Sequence, residues 1–371
     1  MSKNALYLSG GGARAAYQAG VIKGIQSILK TPHVPFELIT GVSAGCVNAC
    51  ILTQYADNFQ KAVQELEQLW TTIKSSNIFS TNHYEITKSF MRSLGLMFLE
   101  RRKAGYLLDT TPLRSFLEKN IHLKKISQNI QKGLVKNLEI ICSCYDTQQN
   151  ISFCQQNDPE FSHWHHYKHI SNTTNINIDH LLASGALPLF FSPVTIDDKF
   201  FGDGSMGLIS PLRGQITSKA QKILIISNRH PMGMVERGQL NQIGFAQILG
   251  GMLNSLFQDN LDRDIEIVNQ LNDIDDMVSI WNKKNTPWRH IDTLHLRPSV
   301  DLAKIAIENY DHIPSAIKTL LSFFGAGQQS GDLTSFLLFE SSFTSEIFNI
   351  GYDETLENSE NILNFFHSSS Q

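Results

Sequence analysis

The chain has 371 residues, 42% hydrophobic and 18% charged, with a formal net charge of -4. That length holds one large α/β domain with an appendage or two modest domains, and the mild acidic balance argues against nucleic-acid binding as the main function. The five cysteines, Cys46, Cys50, Cys142, Cys144 and Cys154, follow no repeated metal-type spacing and read as buried or free thiols.

Residues 1–8 carry an apolar run too short for the core of a secretion signal. No stretch approaches the roughly 20 apolar residues that cross a bilayer. The expectation is a cytoplasmic protein, peripheral to a membrane or exported without an N-terminal signal, and with no transmembrane segment. Residues 5–8 read as a buried strand that ends in Gly10-Gly11-Gly12. Residues 15–30 follow as a helix, with Ala16, Ala19, Val21, Ile22, Ile25, Ile28 and Leu29 spaced for one face. Residues 35–40 read as a second strand, which turns through Gly41-Val42-Ser43-Ala44-Gly45 into a helix reaching the Tyr55 region. Two β-turn-α units in succession favour a parallel sheet.

Residues 59–120 look mainly helical, and 138–145 and 222–227 are apolar enough for buried parallel strands. Val194-Thr195-Ile196 and Phe200-Phe201 flank a polar turn and predict a hairpin that delivers Gly202-Asp203-Gly204 at its end. Beyond residue 230 come a helix over 240–271, a strand over 290–296, and helices over 301–324, 332–348 and 353–366. The fold class expected is α/β, with a domain over 1–230 and a mainly helical C-terminal region over 231–371 packed on it. Two apolar stretches could meet a membrane: Phe90 to Leu99 with Arg101, Arg102 and Lys103 beside it, and Leu320 to Phe324. Ordinary core-facing helices are the reading that helical spacing favours for both.

A serine in GxSxG between a strand and a helix sits on a tight turn that lifts its hydroxyl clear of the sheet, so Ser43 is the candidate nucleophile. An attacked carbonyl needs preorganised N–H donors, and the first glycine run can supply them. Gly10, Gly12 and Ala15 also fit a dinucleotide-binding fingerprint, but the next strand ends in Thr40-Gly41 without the acidic residue that would hold a ribose. For the base there are 13 histidines, none as distinctively placed as Asp203 between its two glycines. His230, after the strand at 222–227, is the alternative base of a triad. His163, His165, His166 and His169 read as a polar loop, with a metal site as the alternative.

These residues resemble the patatin-like phospholipases. The likeness lies in Gly10, Gly11, Gly12 and Arg14; in Gly41, Ser43 and Gly45; in Asp203 and Gly204; and in the block from Ala183 to Pro188 with Phe190 and Pro193. It covers about residues 5–214. The chain departs from the family pattern at Ala15 and Ser205, where glycine, or glycine or alanine, is usual. The resemblance implies a three-layer α/β/α fold with a mostly parallel sheet. It also implies that Ser43 attacks and Asp203 takes its proton, while the loop of Gly10, Gly11 and Gly12 with Ala44 forms the oxyanion hole supported by Arg14. No metal or cofactor enters. The substrate expected is a phospholipid or lysophospholipid ester; an acyltransferase and a non-catalytic lipid-binding protein are the alternatives. A carboxylate with a pKa near 4 is a poor base for a hydroxyl, so the dyad requires an apolar pocket that raises Asp203.

Overall fold

The computed structural model describes residues 3–82, 84, 106–158, 161–231, 245–278, 288–323 and 331–368. Strand β1 (Asn4–Leu8) is apolar toward both faces, as a strand covered by helices on each side must be. It lies between β2 (Leu38–Val42) and β9 (Lys222–Ile226), parallel to both. Strand β3 (Asn137–Cys144) continues the sheet parallel to β2, and β4 (Gln149–Gln156) turns back antiparallel to β3. The short strands β5 (His165–His166) and β6 (His169–Thr173) close one edge, and β10 (Asp292–Leu296) closes the other, parallel to β9. A hairpin of β7 (Val194–Ile196) and β8 (Lys199–Asp203) attaches to β3. Its two-residue turn puts Asp197 and Asp198 at φ 47° and 59°, the mirror-image turn whose twist suits a hairpin.

Successive side chains of a strand point to opposite faces, and here they feed two cores. Leu6 and Leu8 pack with α1 (Ala15–Leu29), α2 (Gly45–Gln54), α3 (Phe59–Thr72) and α13 (Ser341–Glu357). Ala5 and Tyr7 pack on the other face with Leu261 and Val268 of α9 (Phe245–Met277) and with Ile216 of α8 (Arg213–Thr217). The result is an α/β/α sandwich on a mostly parallel sheet. Helices α1 and α13 approach so closely that a methyl group at Gly20 would overlap the carbonyl of Phe348. The chain beyond residue 231 is therefore built into both the sheet, through β10, and the helical layer, through α13.

The remaining helices are α4 (Ser75–Ile78), α5 (Thr111–Asn120), α6 (Leu123–Gln131), α7 (Ile178–Ser184), α10 (Leu302–Glu308), α11 (Ser315–Phe323), α12 (Gly331–Leu337) and α14 (Ser359–His367). Several boundaries differ from expectation. The second strand runs from Leu38 to Val42 rather than over 35–40, because its pairing with β1 starts at Leu38 and its pairing with β3 continues to Val42. The helix expected over 301–324 divides at Pro314, which holds Ile313 extended at ψ 133°. Strands β4 and β6 have no counterpart in the sequence reading, and His169 lies on β6, buried, with Nε2 2.8 Å from Ser152 Oγ. Leu320 and Leu321 are fully buried and face the core, while Phe324 at the end of that stretch lies outside the described residues. Residues 90–99 and 101–103 lie outside the described residues. No described helix is long and apolar enough to cross a membrane.

Candidate active site

The register on β3 brings the two key turns together. Strand β4 occupies one edge of β3 along its whole length, from Asn137 to Cys144. On the other edge β2 pairs as far as Ile141, opposite Val42, and β8 takes over at Cys142, opposite Asp203. The two strands therefore abut head to head on consecutive residues of β3. Ser43 is the residue after Val42, and Asp203 is the last residue of β8, so sheet pairing alone places them side by side.

Ser43 has φ 53°, the left-handed region that costs a residue with a Cβ. The turn is held open by its small neighbours: a Cβ at Gly41 would lie 2.7 Å from Cys46 Cα, and one at Gly45 would lie 2.5 Å from the carbonyl oxygen of Leu8. The Ser43 N–H donates to Ser184 Oγ at 2.9 Å, and that hydroxyl donates to the Ile141 carbonyl at 2.6 Å. The backbone of the same segment grips the aspartate turn, since Asp203 N–H donates to Ala186 O at 3.1 Å and Gly204 N–H to Ser184 O at 3.2 Å. The block from Ala183 to Pro188 thus braces both turns. A Cβ at Gly204 would overlap the Ile141 carbonyl, so glycine is required for this close approach.

Asp203 is 1% exposed, and burial raises its pKa from 3.8 to about 6. A hydrogen bond from the Ser205 amide, at 2.9 Å to Oδ1, opposes that rise, as does the nearby Ser43 hydroxyl. The Ser43 hydroxyl is close enough to favour the carboxylate, yet no aligned hydrogen bond joins the pair, and the buried Oδ2 has no partner among the described residues. Catalytic hydrogen bonds are commonly loose without substrate. Oδ2 is the oxygen left available to receive a proton.

The glycine loop leads through a 3-10 turn (Gly12–Arg14) into α1, with Gly12 at φ +56°. Amides at the start of a helix have no preceding carbonyl within it to take them, which leaves N–H groups for an anion. Side chains brace the loop from behind. Asn228 Nδ2 donates to Gly10 O at 3.0 Å, and Gln18 Nε2 donates to Ser9 O at 2.8 Å. Gln18 Oε1 accepts from Asn48, whose own Oδ1 accepts from Trp70 Nε1. Arg14 is not at the mouth of the loop. Its guanidinium is buried, donating to Ser335, Asn254 and Asp332 of the C-terminal helices.

Gly12, Ser43 and Ala44 share one pocket, with Val47, Trp70, Phe116, Leu187, Phe191 and Phe339 among its walls. Its lining is almost wholly apolar, and no histidine is among the described residues that form it. His230 is 3.7 Å from Asp301 and buried. A second row, Ser227 Oγ to His295 Nε2 at 2.7 Å and His295 Nδ1 to Asp262 at 3.8 Å, has the order of a triad. Ser227 is fully buried and Asp262 also holds Arg297 at 3.1 Å, so the row braces the ends of β9 and β10. Among the described residues the one group spaced to share a cation is Asp275, Asp276 and His290, which contains none of the residues above. All five cysteines are buried and free.

The profile of the patatin-like phospholipases matches residues 6–213. The chain belongs to that family. Among curated proteins it is similar to a cGAMP-activated phospholipase of Escherichia coli (strain TW11681), with 26% identity over 216 residues, 56% of this chain and 52% of the relative. The chain thus matches about half the length of that relative. Among solved structures, VipD from Legionella pneumophila aligns over 97% of this chain and 67% of its own, at 12% identity and a TM-score of 0.36. The family match spans every element that frames the pair, from β1 to the start of α8. Sequence reasoning missed Ser184, Asn228 and the wall from α12, because their partners lie more than a hundred residues away. The Ala183 to Pro188 block was the one available pointer to Ser184.

Proposed function

We propose that the protein is a lipid acyl ester hydrolase, of phospholipase A or lysophospholipase type, with Ser43 as nucleophile and Asp203 as base. The observation that carries this reading is the abutment of β2 and β8 on β3, which sets beside a buried carboxylate a left-handed serine that lines an apolar pocket. An acyl chain gains about 0.8 kcal/mol per methylene on leaving water, which suits it to such a lining.

As Ser43 Oγ bonds to the ester carbon, its proton passes to Asp203 Oδ2 and the carbonyl electrons move onto oxygen, toward the amides of Gly11, Gly12 and Ala44. Collapse of the tetrahedral adduct expels the alcohol, which takes the proton from Asp203. Water then adds to the acyl-enzyme and gives its proton to Asp203, and collapse of this second adduct expels Ser43 Oγ, which takes that proton back as the fatty acid leaves. A base with a pKa near 6 stands most of the way from an ordinary carboxylate to a histidine, and the oxyanion donors supply the rest of the stabilisation.

The test is hydrolysis of phospholipid and of a short-chain ester, with products separated to tell transfer to water from transfer to an alcohol. Ser43→Ala and Asp203→Asn should each abolish turnover while His230→Ala retains it. A loss in His230→Ala equal to that in Ser43→Ala would replace the dyad by a triad.

A further inference from the structure

We infer that Arg14 is a positioning residue that joins the oxyanion loop to the C-terminal helix α12, so that the site is competent only while α12 is docked. This rests on the reading of Ser43 and Asp203 given above. The Arg14 side chain is 4% exposed. Its Nε donates to Ser335 Oγ at 2.8 Å, Nη1 to Asn254 Oδ1 at 3.0 Å, and Nη2 to both the carbonyl and the carboxylate of Asp332 at 3.3 Å. Its Cζ also lies 4.2 Å from the centre of the Phe336 ring. These partners stand on α9 and α12, at least 240 residues further along the chain.

The glycine loop meets the same helix directly. Any side chain at Gly12 would overlap the carbonyl oxygen of Phe336. Two neighbouring points of the loop, the Gly12 backbone and the Arg14 side chain, are thus set against one turn of α12. Beyond that turn the chain is fastened again, since Ser75 N–H donates to Glu340 Oε1 at 3.1 Å and Ser75 Oγ to Phe339 O at 3.4 Å. Between the two fastenings, Phe336, Leu337 and Phe339 form a wall of the pocket into which Ser43 opens. The segment 332–340 is therefore a bar across the site, held by the oxyanion loop at one end and by α4 at the other.

A guanidinium suits this post because its planar fork serves several acceptors at once, which an ammonium on a flexible stem cannot. Undocking α12 would strip a buried cation of its acceptors, which is strongly unfavourable. It would also release the loop whose amides must stand about 2.7–3.1 Å from the developing oxyanion. The consequence falls on turnover first, because the short-ester ground state does not use those donors.

Arg14→Lys and Ser335→Ala in the full chain test this, with kcat and KM on a short-chain and a long-chain p-nitrophenyl ester and near-ultraviolet circular dichroism as a check on packing. The expected result for Arg14→Lys is a kcat about 10- to 100-fold lower on the short ester, since small misplacements of catalytic groups cost that much. KM should stay close to wild type, the near-ultraviolet spectrum should be retained, and kcat/KM should fall further on the long ester. Ser335→Ala, which removes one acceptor, should show the same split at smaller size. An active wild type with unchanged kcat in both variants overturns this inference alone, as does a loss confined to KM or one that tracks loss of the near-ultraviolet spectrum. A wild type without esterase activity overturns the reading of Ser43 and Asp203 and this inference with it.

Discussion

Replacing Asp203 by Asn should remove the base and, with it, a pH-dependent cost that the buried carboxylate imposes on stability. The folded chain holds the Asp203 proton more tightly than the unfolded chain, with a pKa of about 6 against 3.8. Between these values the folded state binds more protons than the unfolded one, so stability falls as pH rises through that window. Below it both states are protonated and the cost is absent. Above it the whole cost is present, about 3 kcal/mol at 1.36 kcal/mol per pKa unit. Asn keeps an oxygen for the Ser205 amide but adds a buried N–H₂ group, and an orphaned donor costs about 1–3 kcal/mol at every pH. The informative quantity is therefore the pH dependence of the difference between the two proteins. Urea unfolding of wild type and Asp203→Asn from pH 4 to 8 should show the variant gaining about 2.4 kcal/mol relative to wild type, with the gain complete by about pH 7. Parallel stability curves would show that Asp203 does not carry the buried charge on which the mechanism rests.

Other consequences follow from single contacts. The kcat/KM for a neutral short-chain ester should fall as pH drops through about 6, because protonated Asp203 cannot accept from Ser43; a flat profile from about pH 5 to 8 would contradict this assignment. Ser184→Ala leaves the Ser43 amide without its acceptor, and should cost about 1–3 kcal/mol in denaturant unfolding along with a slower turnover. An unchanged unfolding midpoint and rate would remove Ser184 from the scaffold. Val47→Trp fills part of the pocket, and a series of esters of increasing chain length should show the preference moving to shorter chains. An unaltered series would mean that the acyl chain lies elsewhere.

Most of what frames the site is local in sequence and was legible there. Strand β1, the glycine run and α1 follow each other without a gap, and so do β2, the Ser43 turn and α2, so hydrophobic runs and turn residues mark them. The β7–β8 hairpin and Asp203 at its end are likewise a short-range signal. What adjoined what was less legible. The pairing that sets Asp203 beyond Val42 runs through β3, more than sixty residues from one and about a hundred from the other, and no periodicity encodes it. Strand β4 mixes polar and apolar residues and gives no clean alternation. Arg14 reads in sequence as a cation near the loop, and only the fold shows its acceptors on α9 and α12. The C-terminal region reads in sequence as helices and one strand packed on the domain, and only the fold shows that α12 walls the pocket and that β10 pairs with β9.

The central claim is that the hydroxyl beside Asp203 is the reacting one. Treating the protein with a fluorophosphonate at pH 8 and locating the adduct by peptide mass spectrometry tests it most directly. The account predicts one adduct, on Ser43, absent from Ser43→Ala and formed much more slowly in Asp203→Asn. Undiminished labelling of Ser43→Ala, or an adduct on another serine of the wild type, would contradict it.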